Sequence, residues 1–200
     1  PFHYKIEKSV SGFTKRILGC IVTDERNDLL AMVSANHQPI QRWMAQHGGD
    51  AMVTDIDGFL PDSAFLLDVP ATDWKDAIRL AGKGLVAAGF TTDAYTDQMI
   101  ETVEKMGPYI VIAPGLALAH SRPSEAVRKT GLSWVRLSTP VKFGNKANDP
   151  VSLVIGLAGH DENEHITVMS AIASALINPK KTAALATAPT PEAIRDILHQ

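Results

Sequence analysis

The sequence predicts an α/β domain, a mixed β-sheet flanked by helices on both faces. Three observations carry this. Apolar β-rich runs alternate with stretches of helical periodicity from residue 63 onward. The alternation lacks a regular strand–helix–strand rhythm, because the strand runs at 109–113 and 131–137 have no helix of useful length between them. Charged residues make up 20% of the chain, an ordinary globular share.

The elements read in order. Ala64 to Val69 is a short strand. Thr72 or Asp73 caps a helix with apolar residues at Ala77, Ile78, Leu80, Ala81, Leu85 and Val86, and Gly89 is placed to stop it. Thr92-Asp93 opens a second helix with Tyr95, Met99, Ile100 and Val103 on one side, ending at Gly107-Pro108. Tyr109 to Ala113 is β-rich, and Gly115 to Ala119 leads into His120. Gly131 to Leu137 and Val151 to Ala158 are strands. A helix begins at Asp161 or Asn163, runs to about Ile177, and is closed by Asn178-Pro179. Thr190-Pro191-Glu192 starts the last helix, with proline at its first position.

Asp55 to Asp62 is rich in turn formers and divides the chain into an extension, 1–62, and a domain, 63–200. The extension is harder to read: strands at Arg16–Thr23 and Ala51–Ile56, and a short helix from Pro39 to His47. It has no convincing helix-turn-helix.

Composition narrows the function. A net charge of −3 argues against nucleic acid as a direct partner. The single cysteine, Cys20, rules out an internal disulfide and is compatible with a cytoplasmic setting. No apolar run reaches the roughly 18 residues that span a bilayer, and the first residues do not read as a signal peptide. P-loop, G-x-G-x-x-G and G-x-S-x-G motifs are absent, so the chain carries no recognisable nucleotide site.

The seven histidines are the candidates for chemistry. Neutral imidazole is a nucleophile that titrates near neutrality. His120 ends a run of small residues and precedes Ser121-Arg122-Pro123, so a strand would deliver the ring to an exposed loop rim. There Arg122 offers a guanidinium fork for phosphate oxygens, and Ser121 a hydroxyl and a backbone N–H. The alternative is a loop histidine in a structural hydrogen bond. His160 and His165 lie where a strand feeds a helix N-terminus, a favourable anion site. There the alternative is that Asp161 and Glu162 merely favour the start of the helix. His160 and His165 with Asp161 or Glu164 could hold zinc, but their spacing is not that of H-E-x-x-H, and no metal or cofactor is expected. Cys20 and Arg26 match the C-x5-R spacing of a phosphate loop without its glycines, so Cys20 reads as a buried strand residue.

Four blocks in register resemble the fructose/mannitol-type enzyme IIA family of the bacterial phosphoenolpyruvate-dependent sugar phosphotransferase system. They are Met106 to Pro123, Val127-Arg128-Lys129-Thr130-Gly131-Leu132, Asn148-Asp149-Pro150-Val151 and Asn163-Glu164-His165-Ile166. The Gly107-Pro108-Tyr109 and Asn148–Val151 blocks look most like the ascorbate-type subgroup. The resemblance covers 63–200. It implies that His120 is the phosphorylated histidine and His165 the second active-site histidine. It also implies the phosphocarrier HPr as donor, a cysteine of an enzyme IIB domain as acceptor, and a membrane permease as the indirect partner that chooses the sugar. Two departures stand out. Ala119 replaces the proline that often precedes the active histidine, and Glu101-Thr102-Val103-Glu104 lacks the arginine of mannitol-type members, so that Arg122 is expected to supply the positive charge. Leu116, Pro123 and Val127 are candidates for an apolar docking face. The rival readings are a phosphorylation-sensing domain of a transcriptional regulator, a histidine-based metal hydrolase and a non-catalytic binding module.

Overall fold

The computed structural model describes residues 56–176 and 179–199. The expectations for Arg16–Thr23, Pro39–His47, Cys20 and Arg26 lie outside these residues, as does all of Ala51–Ile56 except Ile56.

A short helix α1 (Ile56–Phe59) and a 3₁₀ turn (Asp62–Ala64) lead into strand β1 (Phe65–Val69). Helices α2 (Trp74–Ala87) and α3 (Asp93–Met106) follow. Asp73 caps α2 by accepting the Asp76 N–H at 2.9 Å, and Gly107, at φ 80°, ends α3 in a conformation that costs glycine little. Strands β2 (Val111–Ala113), β3 (Leu116–His120), β4 (Gly131–Val141) and β5 (Val151–Ala158) come next. Helices α4 (Glu162–Leu176), α5 (Pro179–Thr187) and α6 (Pro191–His199) complete the described chain.

The five strands form one sheet in the order β1-β4-β5-β3-β2. The pairs β1·β4 and β3·β5 are parallel, while β4·β5 and β2·β3 are antiparallel. The predicted mixed sheet is therefore present, and so are helices on both faces. Because strand side chains alternate, each strand feeds two cores. Ala117, Ala119, Val135, Leu137, Val154 and Ala158 pack with α2 and α3. Leu116, Leu118, Leu132, Trp134, Leu153, Ile155 and Leu157 pack with α4, α5 and α6.

Three details differ from the sequence reading. β4 runs to Val141 rather than Leu137, because Ser138, Thr139 and Pro140 are exposed and carry no apolar alternation. Pro179 does not only close a helix but begins α5, since a residue without an N–H fits the first helical position. Leu60, ahead of residue 63, is fully buried in the core with α6, and Arg195 of α6 donates to Leu60 O at 3.1 Å and Asp62 Oδ1 at 2.7 Å. None of the described helices is long and apolar enough to cross a membrane.

Far along β4 from the His120 end of the sheet, Arg136 grips Asp68 with two parallel bonds, Nε to Oδ1 at 2.8 Å and Nη2 to Oδ2 at 2.9 Å. Those bonds hold the Asp68 carboxyl below the usual carboxylate range and the Arg136 guanidinium above its own. The folded state thus favours ionised Asp68. The pair's contribution is complete above the ordinary value of 3.8 and fades as pH falls through the lower folded value. Asp68 is exposed, so the effect is small. Thermal unfolding of wild type and Asp68→Asn should show a small gap in Tm at neutral pH that narrows as pH falls below the ordinary carboxylate value of 3.8.

Candidate active site

Alternation along β3 decides which way His120 points. It shares the parity of Leu116 and Leu118, whose side chains pack toward α4, while Ala117 and Ala119 face α2 and α3. His120 is the last residue of β3 and pairs in register with Leu157 of β5. On that face it meets His165, in the first turn of α4, with ring centroids 5.6 Å apart and planes at 48°. Tyr109 also packs against the imidazole, edge to face at 5.5 Å and 81°.

His120 is 1% exposed and His165 8% exposed. The strand does deliver the ring to its own end, but the imidazole is buried against the rings of His165 and Tyr109 instead of standing on an exposed rim. Its Nδ1 lies 2.9 Å from Leu118 O. A carbonyl can only accept, so Nδ1 carries the proton and Nε2 keeps the lone pair. The backbone of β3 thereby selects one tautomer, with the lone pair on Nε2.

The approach of α4 is locally specified. Asp161 Oδ1 accepts the Glu164 N–H at 2.9 Å, a helix cap, and Asp161 O accepts the His165 N–H at 2.9 Å. Thr130 Oγ1 accepts the His160 N–H at 3.0 Å and donates to Glu164. These bonds tie the start of β4 to the start of α4. A Cβ on Gly159 would stand 2.5 Å from His165 Cα, so glycine lets the second histidine come this close to the end of β5.

The loop after β3 is strapped to the α2–α3 connection: Thr92 N donates to Ala126 O at 2.9 Å, and Arg128 N to Phe90 O at 2.7 Å. Ser124 Oγ donates to Gln98 Oε1 at 2.8 Å. Ser121 points opposite to His120, toward α3. Its Oγ is 3.1 Å from Thr102 Oγ1, which itself donates to Gln98 O at 2.7 Å. Arg122 is exposed beside this site. Leu116 and Val127, expected on a docking face, are 2% and 5% exposed, because both serve the cores; Pro123 is half-buried.

The structure brings His120 and His165 together and separates them from the candidate metal ligands. Ligand atoms of His160, Asp161 and Glu164 lie within 4.8 Å of one another, all three exposed, while His165 faces His120. The sequence reading missed Tyr95, Thr102 and Tyr109 as neighbours of the site. Tyr95 reads as an ordinary apolar helix position, Thr102 as a departure from a pattern, and Tyr109 as a strand residue.

The family model for the phosphoenolpyruvate-dependent sugar phosphotransferase system, EIIA 2, matches residues 59–200. The chain belongs to this family. Among its relatives, the ascorbate-specific PTS system EIIA component of Salmonella choleraesuis is 40% identical over 109 residues, covering 54% of this chain and 71% of that protein. The solution structure of the mannitol-specific cryptic phosphotransferase enzyme IIA of Escherichia coli superposes with a TM-score of 0.65 at 30% identity, covering 72% of this chain and 97% of the other. Enzyme IIA of the mannitol system of Escherichia coli, in a complex with its phosphorylated enzyme IIB, gives a TM-score of 0.60 at 28% identity, covering 68% of this chain and 94% of the other. As an EIIA 2 member the chain is a phosphotransfer component of a sugar phosphotransferase system.

Proposed function

We propose that this EIIA domain accepts a phosphoryl group from phospho-HPr on Nε2 of His120 and passes it to a cysteine of an enzyme IIB domain, in the cytoplasm, during sugar uptake through a membrane permease. The single observation that supports this most is the bond from His120 Nδ1 to Leu118 O, which leaves Nε2 as the lone-pair atom beside a second histidine.

In the first step the Nε2 lone pair attacks phosphorus of the donor phosphohistidine. The new N–P bond forms as the donor's N–P bond breaks, and the donor imidazole leaves with that electron pair. His120 keeps its Nδ1 proton, so the phosphorylated ring is cationic and Leu118 O accepts from it more strongly. In the second step the acceptor thiolate attacks phosphorus, an S–P bond forms, and His120 departs as the neutral Nδ1–H imidazole. Each step needs access to Nε2, which is buried in the protein alone, together with in-line placement and compensation of the phosphoryl oxygens' charge. His165 donates to one oxygen. Arg122, exposed on the loop after β3, provides the positive charge that the sequence 101–104 lacks. Ser121, expected to bind the phosphoryl group, instead commits its N–H to the Tyr95 hydroxyl oxygen and its own hydroxyl to Thr102, so it supports the site from behind. The 40% identity to an ascorbate-specific component supports an ascorbate-type sugar substrate for the system.

Incubation with phosphoenolpyruvate, enzyme I and HPr, followed by intact mass, tests the reading. One acid-labile phosphoryl group per chain is expected, and no uptake from matched donors would overturn it. In the same assay Arg122→Ala should slow transfer by about ten- to a hundredfold, with Arg122→Lys recovering part of the loss because charge returns without the planar fork. Near-normal transfer by Arg122→Ala would remove Arg122 from the mechanism.

A further inference from the structure

The phosphoacceptor lies where the parallel ladder of β3 and β5 ends. His120 and Leu157 are its last register pair; beyond them β3 turns into the loop 121–130 and β5 into Gly159 and the start of α4. Backbone groups at such a fork have lost their ladder partners and, being buried, need others. One side chain meets them. Tyr95, fully buried on α3, places its hydroxyl oxygen 2.9 Å from Leu157 O and 2.9 Å from Ser121 O, and accepts the Ser121 N–H at 3.0 Å.

The Ser121 N–H belongs to the rigid peptide plane that begins at the His120 carbonyl. Holding that plane fixes the backbone on one side of His120, and the bond from Nδ1 to Leu118 O fixes the ring on the other. Ser121 Oγ adds to the hold. Since Thr102 Oγ1 donates to Gln98 O, it must accept from Ser121. Both donors of Ser121, its N–H and its hydroxyl, are thereby engaged with α3.

We infer that Tyr95 is a positioning residue for His120, its phenol oxygen closing the fork between β3 and β5 and fixing the direction in which Nε2 meets the incoming phosphorus. The inference rests on His120 being the phosphoacceptor. Ser121 and Thr102 belong to the same clamp, so α3 acts on the site without touching the phosphoryl group.

The test uses the whole chain. Tyr95→Phe keeps the ring and removes the oxygen. Its uptake of phosphoryl from phospho-HPr should show kcat lowered about tenfold with KM within about twofold, as expected when orientation and not docking is lost. The ¹⁵N and ¹H resonances of the His120 ring should shift as well. Ser133→Ala is the control: it deletes another buried hydrogen bond, to Ala81 O at 2.7 Å, on a strand two places from β3. With both variants fully folded, Ser133→Ala should keep kcat within about twofold of wild type. Wild-type kcat in Tyr95→Phe, unmoved His120 resonances, or an equal loss in Ser133→Ala would each overturn the inference. Should Tyr95→Phe not fold, Thr102→Val carries the test, with smaller shifts of the same resonances expected and none contradicting it. The ring resonances report on the clamp even in a protein that takes no label, so failure of the carrier reading and failure of the clamp are told apart.

Discussion

His120→Ala takes up no acid-labile phosphoryl group from phospho-HPr, while its circular dichroism and thermal transition stay close to wild type. The expected loss is complete because the substitution removes the atom to which phosphorus bonds. A neighbouring histidine does not replace it. His165 approaches the same space from α4, with its ring tilted at 48° and its centroid 5.6 Å from that of His120, so its nitrogens do not fall where Nε2 lies. In-line transfer demands reacting atoms about 3–3.5 Å apart with aligned orbitals, and displacement by an ångström or more is costly. Residual uptake by His120→Ala, mapped to His165, would show that the two rings share the nucleophile's role.

The second large effect falls on His165. Replacing it by alanine should slow phosphoryl uptake about a hundredfold, equivalent to about 2.7 kcal/mol of transition-state stabilisation, the usual loss on deleting one preorganised donor at a developing oxyanion. His165→Gln, which keeps a donor of similar reach, should recover part of that rate. KM for HPr should change little in either variant, because His165 is 8% exposed and has little surface to offer a docking protein. A normal rate in His165→Ala would leave the ring as a packing partner of His120 and no more.

Much of the fold could be read in advance because its determinants are local. Asp73 and Gly107 act as caps and stops at their own positions, and the periodicity from Ala77 to Val103 needs no tertiary knowledge. The missed helix α5 turns on Pro179, whose chemistry fits an end and a beginning equally well. The proximity of His120 and His165 is different in kind. Strand parity sends His120 toward one face, but only sheet order, with β5 between β3 and β4 and α4 leaving the end of β5, puts His165 opposite it. The sequence placed the two histidines together through family resemblance rather than through spacing. Tyr95 and Thr102 were invisible for a related reason. A tyrosine on the inner stripe of a helix reads as core, and its hydroxyl gains a role only when two strand ends part in front of it.

The burial of His120 also revises how exchange proceeds. With the ring 1% exposed, bulk water is kept from the imidazole, which would protect the N–P bond of the proposed phosphohistidine. In the proposed transfer, donor and acceptor have to bring phosphorus to this buried ring, and Arg122 stands exposed on the loop after β3.

The most direct test of the account is the position of the phosphoryl group on the ring. The protein would be labelled with ¹⁵N at histidine, phosphorylated through enzyme I and HPr, and followed by two-bond ¹⁵N–¹H correlation and ³¹P spectra without acid treatment. The account predicts phosphorus bonded to Nε2 of His120, with Nδ1 still protonated as its bond to Leu118 O requires. Phosphorus on Nδ1, or on another histidine, would contradict it.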